Sequence, residues 1–403
     1  MYLVLDQNQL TTFPDNMLLN RQYLLQFSAM NNQINQISEN AFKMNYPCLS
    51  TLTLSNNQII SFPSRALSTL YGLLNLQLDH NMIVQWPEFK NAGQNLVDVD
   101  LSYNQIMDPV PPQNDAPYRN LEALYLNNNE IQNFTVAIAK KIENVRTLNL
   151  ANNKLTKIGQ RLGGTEFRLM RKINTLILDG NQFKYVPNLI YLTLRLEYLS
   201  MQNNNLQPIL DSSALAGVVF YRLKQVKFNN NPSLTFIAPL SAFTYSPLLQ
   251  VLDLTGCGFQ YPQAVSIRNN SPLNVLEMNG NPFLSLKGVD DTHMHGKNLI
   301  EMDLSDSFPL TGGKPAMHYL EGDTFIDCPI VRSLTIRNNG IANMDDNIFG
   351  SQGMLEKLDI SFNQFKHPKT SWFTPLTSLV NLNAGHNPWR CDCHSLDFKN
   401  YRK

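Results

Sequence analysis

The chain has 403 residues, enough for two or three ordinary domains, with 43% hydrophobic residues and 32 basic side chains against 32 acidic ones. That balance, with no basic run, excludes the usual signature of a nucleic-acid or anionic-membrane partner. The apolar run Ala214–Phe220 is far too short to span a bilayer, so membrane contact is expected only through segments outside this chain.

The first residues, Met1-Tyr2-Leu3-Val4-Leu5-Asp6, lack the charged lead and full apolar segment of a signal peptide and read as the middle of a strand. Further chain, including an amino-terminal cap, is therefore expected ahead of Met1. The organising pattern is clearest at Leu49–Ile59, LSTLTLSNNQI. Leu52 and Leu54 alternate with Thr51, Thr53 and Ser55, which predicts a short strand with the leucines inside. Asn57 stands where the chain turns inward, and its amide can pair backbone groups that would otherwise be buried alone.

The unit recurs along the whole chain. The Asn position is filled by Asn8, Asn32, Asn57, Asn81, Asn104, Asn129, Asn153, Asn181, Asn204, Asn231, Asn281, Asn339, Asn363 and Asn387, with Cys257 and Ser307 in the two gaps. This spacing makes about sixteen coils of roughly 24 residues, the period of a leucine-rich repeat. Asn57, Asn81, Asn104, Asn129 and Asn153 are the expected core of a structural ladder, and Ser307 should mark a looser coil. Such an array grows along one axis, so residues 1–386 are read as one curved α/β solenoid, a horseshoe with a parallel sheet on its concave face.

Most coils carry an aromatic or leucine six positions before the next opening apolar residue. Leu67, Phe243, Phe325, Phe349 and Phe373 hold that place and are assigned to a buried column. Asp108–Pro117, DPVPPQNDAP, is too proline-rich for helix and predicts an extended path on the convex side. Asn133-Phe134-Thr135 and Asn269-Asn270-Ser271 are glycosylation acceptors by sequence, whereas Asn231-Pro232-Ser233 is excluded by its proline.

The outward positions of the strands form rows, one per coil. Tyr103, Tyr125 and Tyr198 place aromatics at or beside this face, a residue type favoured at protein interfaces. Further along, Asp253, Glu277 and Asp303 occupy the central outward position of three consecutive strands, with Glu301 beside Asp303. Like charges in neighbouring rows repel unless a basic partner approaches, which makes this a candidate docking patch. The competing reading is that L-D-L-S is a common spelling of the repeat, since Asp100 and Asp359 occupy the same position without an evident cluster.

No spacing for catalysis is present: no G-x-S-x-G elbow, H-E-x-x-H, phosphate loop or C-x-x-C occurs. His293 and His295 form an H-M-H pair without a third ligand nearby, so no metal and no cofactor are expected. The long step from Ser307 to Asn339, with Gly312, Gly313 and Pro315, must bulge out as a loop.

Asn387-Pro388-Trp389-Arg390-Cys391-Asp392-Cys393, followed by Leu396 and Phe398, resembles the cysteine-rich carboxy-terminal cap of extracellular leucine-rich repeat proteins. Residues 387–403 are thus the expected start of a truncated cap. In that family the two cysteines pair with two others further along, and no cysteine follows Cys393 here. Cys391 and Cys393 are too close along the chain to join each other comfortably, and Cys48 and Cys328 would lie roughly 50 Å apart, far beyond disulfide reach.

Across its length the chain resembles Toll-like receptor, chaoptin and Slit type ectodomains. The resemblance implies no enzyme but a receptor or adhesion ectodomain, cell-surface or extracellular, that binds a protein ligand on the concave face and could form homo- or heterodimers. A secreted innate-immune or matrix protein and an intracellular scaffold are the alternatives.

Overall fold

The computed structural model describes residues 1–43, 46–89, 92–107, 109, 117–158, 165–187, 189, 192, 194–208, 220–235, 246–262, 272–286, 296–307, 319–390 and 392. Two compact units are present, Met1–Met201 and Gln202–Lys403. In the first, nine parallel strands run in sequence order: Tyr2–Val4, Gln26–Ser28, Thr51–Thr53, Asn75–Gln77, Asp98–Asp100, Ala123–Tyr125, Thr147–Asn149, Thr175–Ile177 and Tyr198–Ser200. Seven follow in the second: Gln225–Lys227, Val251–Asp253, Val275–Glu277, Glu301–Asp303, Ser333–Thr335, Lys357–Asp359 and Asn381–Asn383. Each unit is a parallel-sheet solenoid, with one such strand for each repeat predicted from the asparagines.

Strand length follows from the alternation. The middle residue of each three-residue strand points into the coil, and register places like on like: Leu52 faces Leu76, which faces Val99, which faces Leu124. All four are fully buried. The residues on either side face outward, so each row position is fixed by the leucine between them.

The far side of the coils is mostly turn. The described helices are short, Ser64–Leu67, Val136–Lys141 and Thr370–Phe373, with single helical turns at Ala92–Gln94 and Thr165–Arg168. Two-residue strands pair in parallel at Thr12–Phe13 with Gln36–Ile37, and at Tyr319–Leu320 with Asn343–Met344. The expected column is buried: Leu67, Phe325, Phe349 and Phe373 are at most 1% exposed, and the Phe325 and Phe349 rings lie 6.2 Å apart. Phe243 lies outside the described residues, as does most of the proline-rich segment.

The asparagines do what their position predicted. Asn57 donates its amide N–H groups to the carbonyls of Ala29 at 2.9 Å, Leu54 at 3.0 Å and Ser55 at 3.2 Å, while its Oδ1 accepts the Ile34 N–H at 2.9 Å. Ala29 and Ile34 belong to the preceding coil, so one side chain closes its own turn and ties two coils together. Asn81, Asn104, Asn129 and Asn153 repeat the arrangement, with Oδ1 accepting from Ile59, Ile83, Ile106 and Ile131 at 2.8–3.0 Å.

One further turn element lies immediately before the ladder residue, in the left-handed region. Asn56, His80, Tyr103, Asn128 and Asn152 all have φ between 52° and 57°. Asparagine tolerates this conformation and glycine adopts it freely. Gly256 fills the position at φ 62°, where an added Cβ would stand 2.8 Å from Asn230 Oδ1.

The two substitutes differ. Cys257 donates its thiol to Phe228 O at 3.3 Å, still reaching the preceding coil, and burial pushes its pKa up to about 12, which keeps the proton on the sulfur. Ser307 reaches only its own coil, donating to Leu304 O and Ser305 O, each at 3.0 Å. The amide of Phe283, where the pattern would present an N–H to residue 307, turns to Asn281 O instead. Residues 308–318, and with them the body of the predicted bulge, lie outside the described residues.

Two stability predictions follow from the ladder. Asn104→Ala should lower stability by about 1 to 3 kcal/mol, the cost of leaving buried backbone groups unpaired, read as a fall in melting temperature. Ser307→Asn should raise the melting temperature, because the longer amide can reach Met278 O and the Phe283 N–H. A variant that melts at or below the parent would refute the account of the looser coil.

Candidate functional site

In the second unit, strand register assembles the carboxylate rows. Lys227 faces Asp253, Asp253 faces Glu277, Glu277 faces Asp303, and Asp303 faces Thr335. Glu301, two residues before Asp303, faces Val275 and Ser333. Adjacent parallel strands stand about 4.8 Å apart, so three acidic side chains share one short column.

Two of the three have a local structural use. Asp303 Oδ1 accepts the Ser305 N–H at 2.8 Å, and Asp253 Oδ1 accepts the Thr255 N–H at 3.1 Å. The same bond recurs from Asp359 to Ser361 and from Asp100 to Ser102, each at 2.8 Å. An aspartate at the end of the strand therefore closes the turn that leads to the ladder asparagine. Glu277, one methylene longer, makes no counterpart bond among the described residues. Its pKa is raised by burial, and then by Asp303, Asp253 and Glu301.

The first unit holds a cluster that the sequence reading missed. Asp100 does not stand alone: Asp98 shares its strand and outward face, and Asp79 acts on it from the preceding coil. Burial first, then Asp100, raises the Asp98 pKa; burial first, partly offset by the bonds from Ser102, raises that of Asp100. The D-V-D triplet was the available signal, since two acids flanking one inward valine must share a face.

Tyr125 faces Asp100 across the sheet, and burial followed by Asp98 and Asp100 raises its phenol pKa. Tyr198 faces Thr175, two strands beyond the neighbour of Tyr125, so the tyrosines do not form one patch. Tyr103 sits in the turn, stacked on His80 with centroids 4.1 Å apart.

Of the glycosylation acceptors, Asn133 is exposed in the turn before Val136–Lys141, while the Thr135 hydroxyl is buried without a hydrogen-bond partner. Asn269, His293, His295, Cys391 and Cys393 lie outside the described residues. Cys48, Cys257 and Cys328 stand as thiols. Among the described residues, no group of three or more His, Cys, Asp or Glu side chains could hold a metal ion, and no helix is long and apolar enough to cross a membrane.

Residues 119–183 and 329–388 match the leucine rich repeat family model. The chain carries leucine-rich repeats. It is 28% identical over 225 residues to Tsukushi of Gallus gallus, covering 53% of this chain and 56% of that protein. Podocan-like protein 1 of Homo sapiens is 26% identical over 312 residues, covering 73% of this chain and 56% of that one. A shorter stretch is 41% identical over 59 residues to Toll-like receptor 2 type-2 of Gallus gallus, covering 15% and 8% of the two chains. The chain thus spans 56% of the length of Tsukushi and of podocan-like protein 1. Among solved structures, the Drosophila Toll–Spatzle complex aligns with a TM-score of 0.73 at 15% identity, over 96% of this chain and 51% of that one. A Leptospira interrogans leucine-rich repeat protein aligns with a TM-score of 0.63 at 18% identity, over 95% and 89%. At these identities the structural likeness establishes the fold.

The raised carboxyl of Glu277 has a measurable consequence for stability. Its proton is held more tightly in the fold than in the unfolded chain, so the fold loses relative stability as pH rises through the raised pKa. Glu277→Gln should therefore melt higher than the parent at neutral pH. The two should converge in acid, below both the folded and the ordinary carboxylate range, where the parent residue is neutral in either state. Identical melting temperatures at neutral pH would contradict a carboxyl raised by burial and by its acidic neighbours.

Proposed function

We propose that this chain is an extracellular protein-recognition module, the ectodomain of a cell-surface receptor or adhesion protein. It docks a protein ligand on the outward face of its strands. The observation that carries the reading is Glu277, a carboxylate placed between Asp253 and Asp303 without a turn of its own to close. Repulsion there is relieved when a lysine or arginine of a ligand arrives, so the arrangement favours a basic partner.

The names of two relatives support the receptor class. A probable glycoprotein hormone G-protein coupled receptor of Anthopleura elegantissima is 28% identical over 189 residues, covering 46% of this chain and 20% of that protein, and the Toll-like receptor 2 stretch points the same way. The Toll–Spatzle complex is, by its name, an assembly of a protein of this fold with another protein. Tyr125, beside Asp100, and Tyr198 are secondary contact candidates, and Asn133 is a glycosylation candidate. No catalytic role is assigned to any residue.

The test is a triple variant, Asp253→Asn with Glu277→Gln and Asp303→Asn, screened beside the parent against an array of secreted proteins. The fold should persist, because outward strand residues do not enter the core. Binding of a protein captured by the parent should weaken mainly through slower association, most strongly at low salt, where unscreened charge steers encounter. Unchanged affinity at low ionic strength would show that the acidic rows belong to repeat structure alone.

A further inference from the structure

The first unit carries a second surface, built where three consecutive coils leave their strands. Backbone stacking joins these segments: Met82 N–H donates to Ile59 O at 2.9 Å, Gln105 N–H to Ile83 O at 2.9 Å, and Val84 N–H to Ile60 O at 3.4 Å. The isoleucines that point inward from these segments, Ile59, Ile83 and Ile106, are fully buried. Yet Ile60, Met82, Val84 and Met107 stand outside, exposed by 54%, 44%, 38% and 57%. An apolar stripe repeated over neighbouring coils is costly to leave in water, and on a folded surface it marks a contact.

What lies beside the stripe selects its occupant. His80 and Tyr103 stack nearly parallel, 12° apart, and Tyr103 is 47% exposed. His80 N–H donates to Ser102 O, and the Ser102 N–H in turn is held by Asp100, so the ring pair and the carboxylates of Asp79, Asp98 and Asp100 are contiguous. The outward positions of the strands from Thr51–Thr53 to Thr147–Asn149 are Thr51, Thr53, Asn75, Gln77, Asp98, Asp100, Ala123, Tyr125, Thr147 and Asn149, with no lysine or arginine among them. The basic side chain that this surface does hold is His80, whose Nδ1 lies 3.0 Å from Asp79 Oδ2, so Asp98 and Asp100 have no lysine or arginine beside them on these strands.

We propose that this surface docks a protein segment in which arginine stands beside large apolar side chains. The apolar side chains cover Ile60, Met82, Val84 and Met107, and the guanidinium groups lie against the Tyr103 ring and pair with Asp98 and Asp100. A guanidinium suits both neighbours, since it stacks on aromatic faces and binds carboxylates in a fork. The surface is independent of the carboxylate rows in the second unit.

The probe is a synthetic peptide of alternating arginine and leucine, with arginine–serine and glutamate–leucine peptides as controls, titrated into the full chain by fluorescence anisotropy at low ionic strength. The arginine–leucine peptide should bind best. Asp98→Asn with Asp100→Asn, and separately Met82→Ser with Met107→Ser, should each weaken it about tenfold, in proteins shown by melting to be folded. The triple variant of the second unit should bind as the parent does, which separates this proposal from the proposed function. Equal binding of the arginine–serine peptide, no change in either double variant, or a loss confined to the second-unit variant would overturn it. So would self-association of the chain abolished by Met82→Ser with Met107→Ser, which would assign the stripe to a second copy.

Discussion

The amide of one asparagine per coil is the interaction on which the rest of the structure depends. A three-residue strand followed by a sharp turn leaves carbonyl and N–H groups inside the coil that no regular hydrogen-bond ladder can pair. Two amide protons and one amide oxygen meet that need, and half of their partners lie in the preceding coil, as with Ala29 and Ile34 around Asn57. The side chain thereby sets both the turn and the distance to the next coil. Register follows, and with it the rows of outward residues in which Asp98, Asp100, Asp253, Glu277 and Asp303 stand.

The same constraint explains which parts of the structure were legible in the sequence. Asparagine spacing and leucine alternation specify buried groups whose partners are forced, so the strands and the stacking of Leu52, Leu76, Val99 and Leu124 could be read directly. The left-handed residue ahead of each ladder asparagine was not legible, because its requirement is conformational and is met by Asn56, His80, Tyr103 or Gly256 alike. The Asp98 and Asp100 cluster was overlooked for a different reason. The D-V-D triplet shows two acids on one face, but Asp79 one coil earlier and the absence of lysine and arginine on the neighbouring strands emerge only when register stacks the coils.

Site reading also improved where the structure separated structural acids from the others. Sequence alone placed Asp253, Glu277 and Asp303 in one class, as outward carboxylates of consecutive strands. Their hydrogen bonds divide them: the two aspartates close turns, and the glutamate does not. Likewise Tyr125 and Tyr198 looked comparable in the sequence, but only Tyr125 stands directly against carboxylates, and its raised phenol pKa reflects burial first and those neighbours next.

This division gives a physical criterion for function in such arrays. Aspartate at the third strand position is stabilised by the turn that it caps, so it can recur in any coil without a ligand to justify it. Glutamate at that position, as in Glu277, cannot cap the turn in the same way. Aspartate two residues earlier, as in Asp98, lies on the far side of the inward residue and instead takes a side-chain bond from Gln77 at 3.4 Å. Both carry raised pKa values caused first by burial and then by neighbouring acids, so each is a cost to its own unit. An acid that the repeat cannot use, kept where other acids repel it, is better evidence of a contact surface than a longer row of aspartates would be.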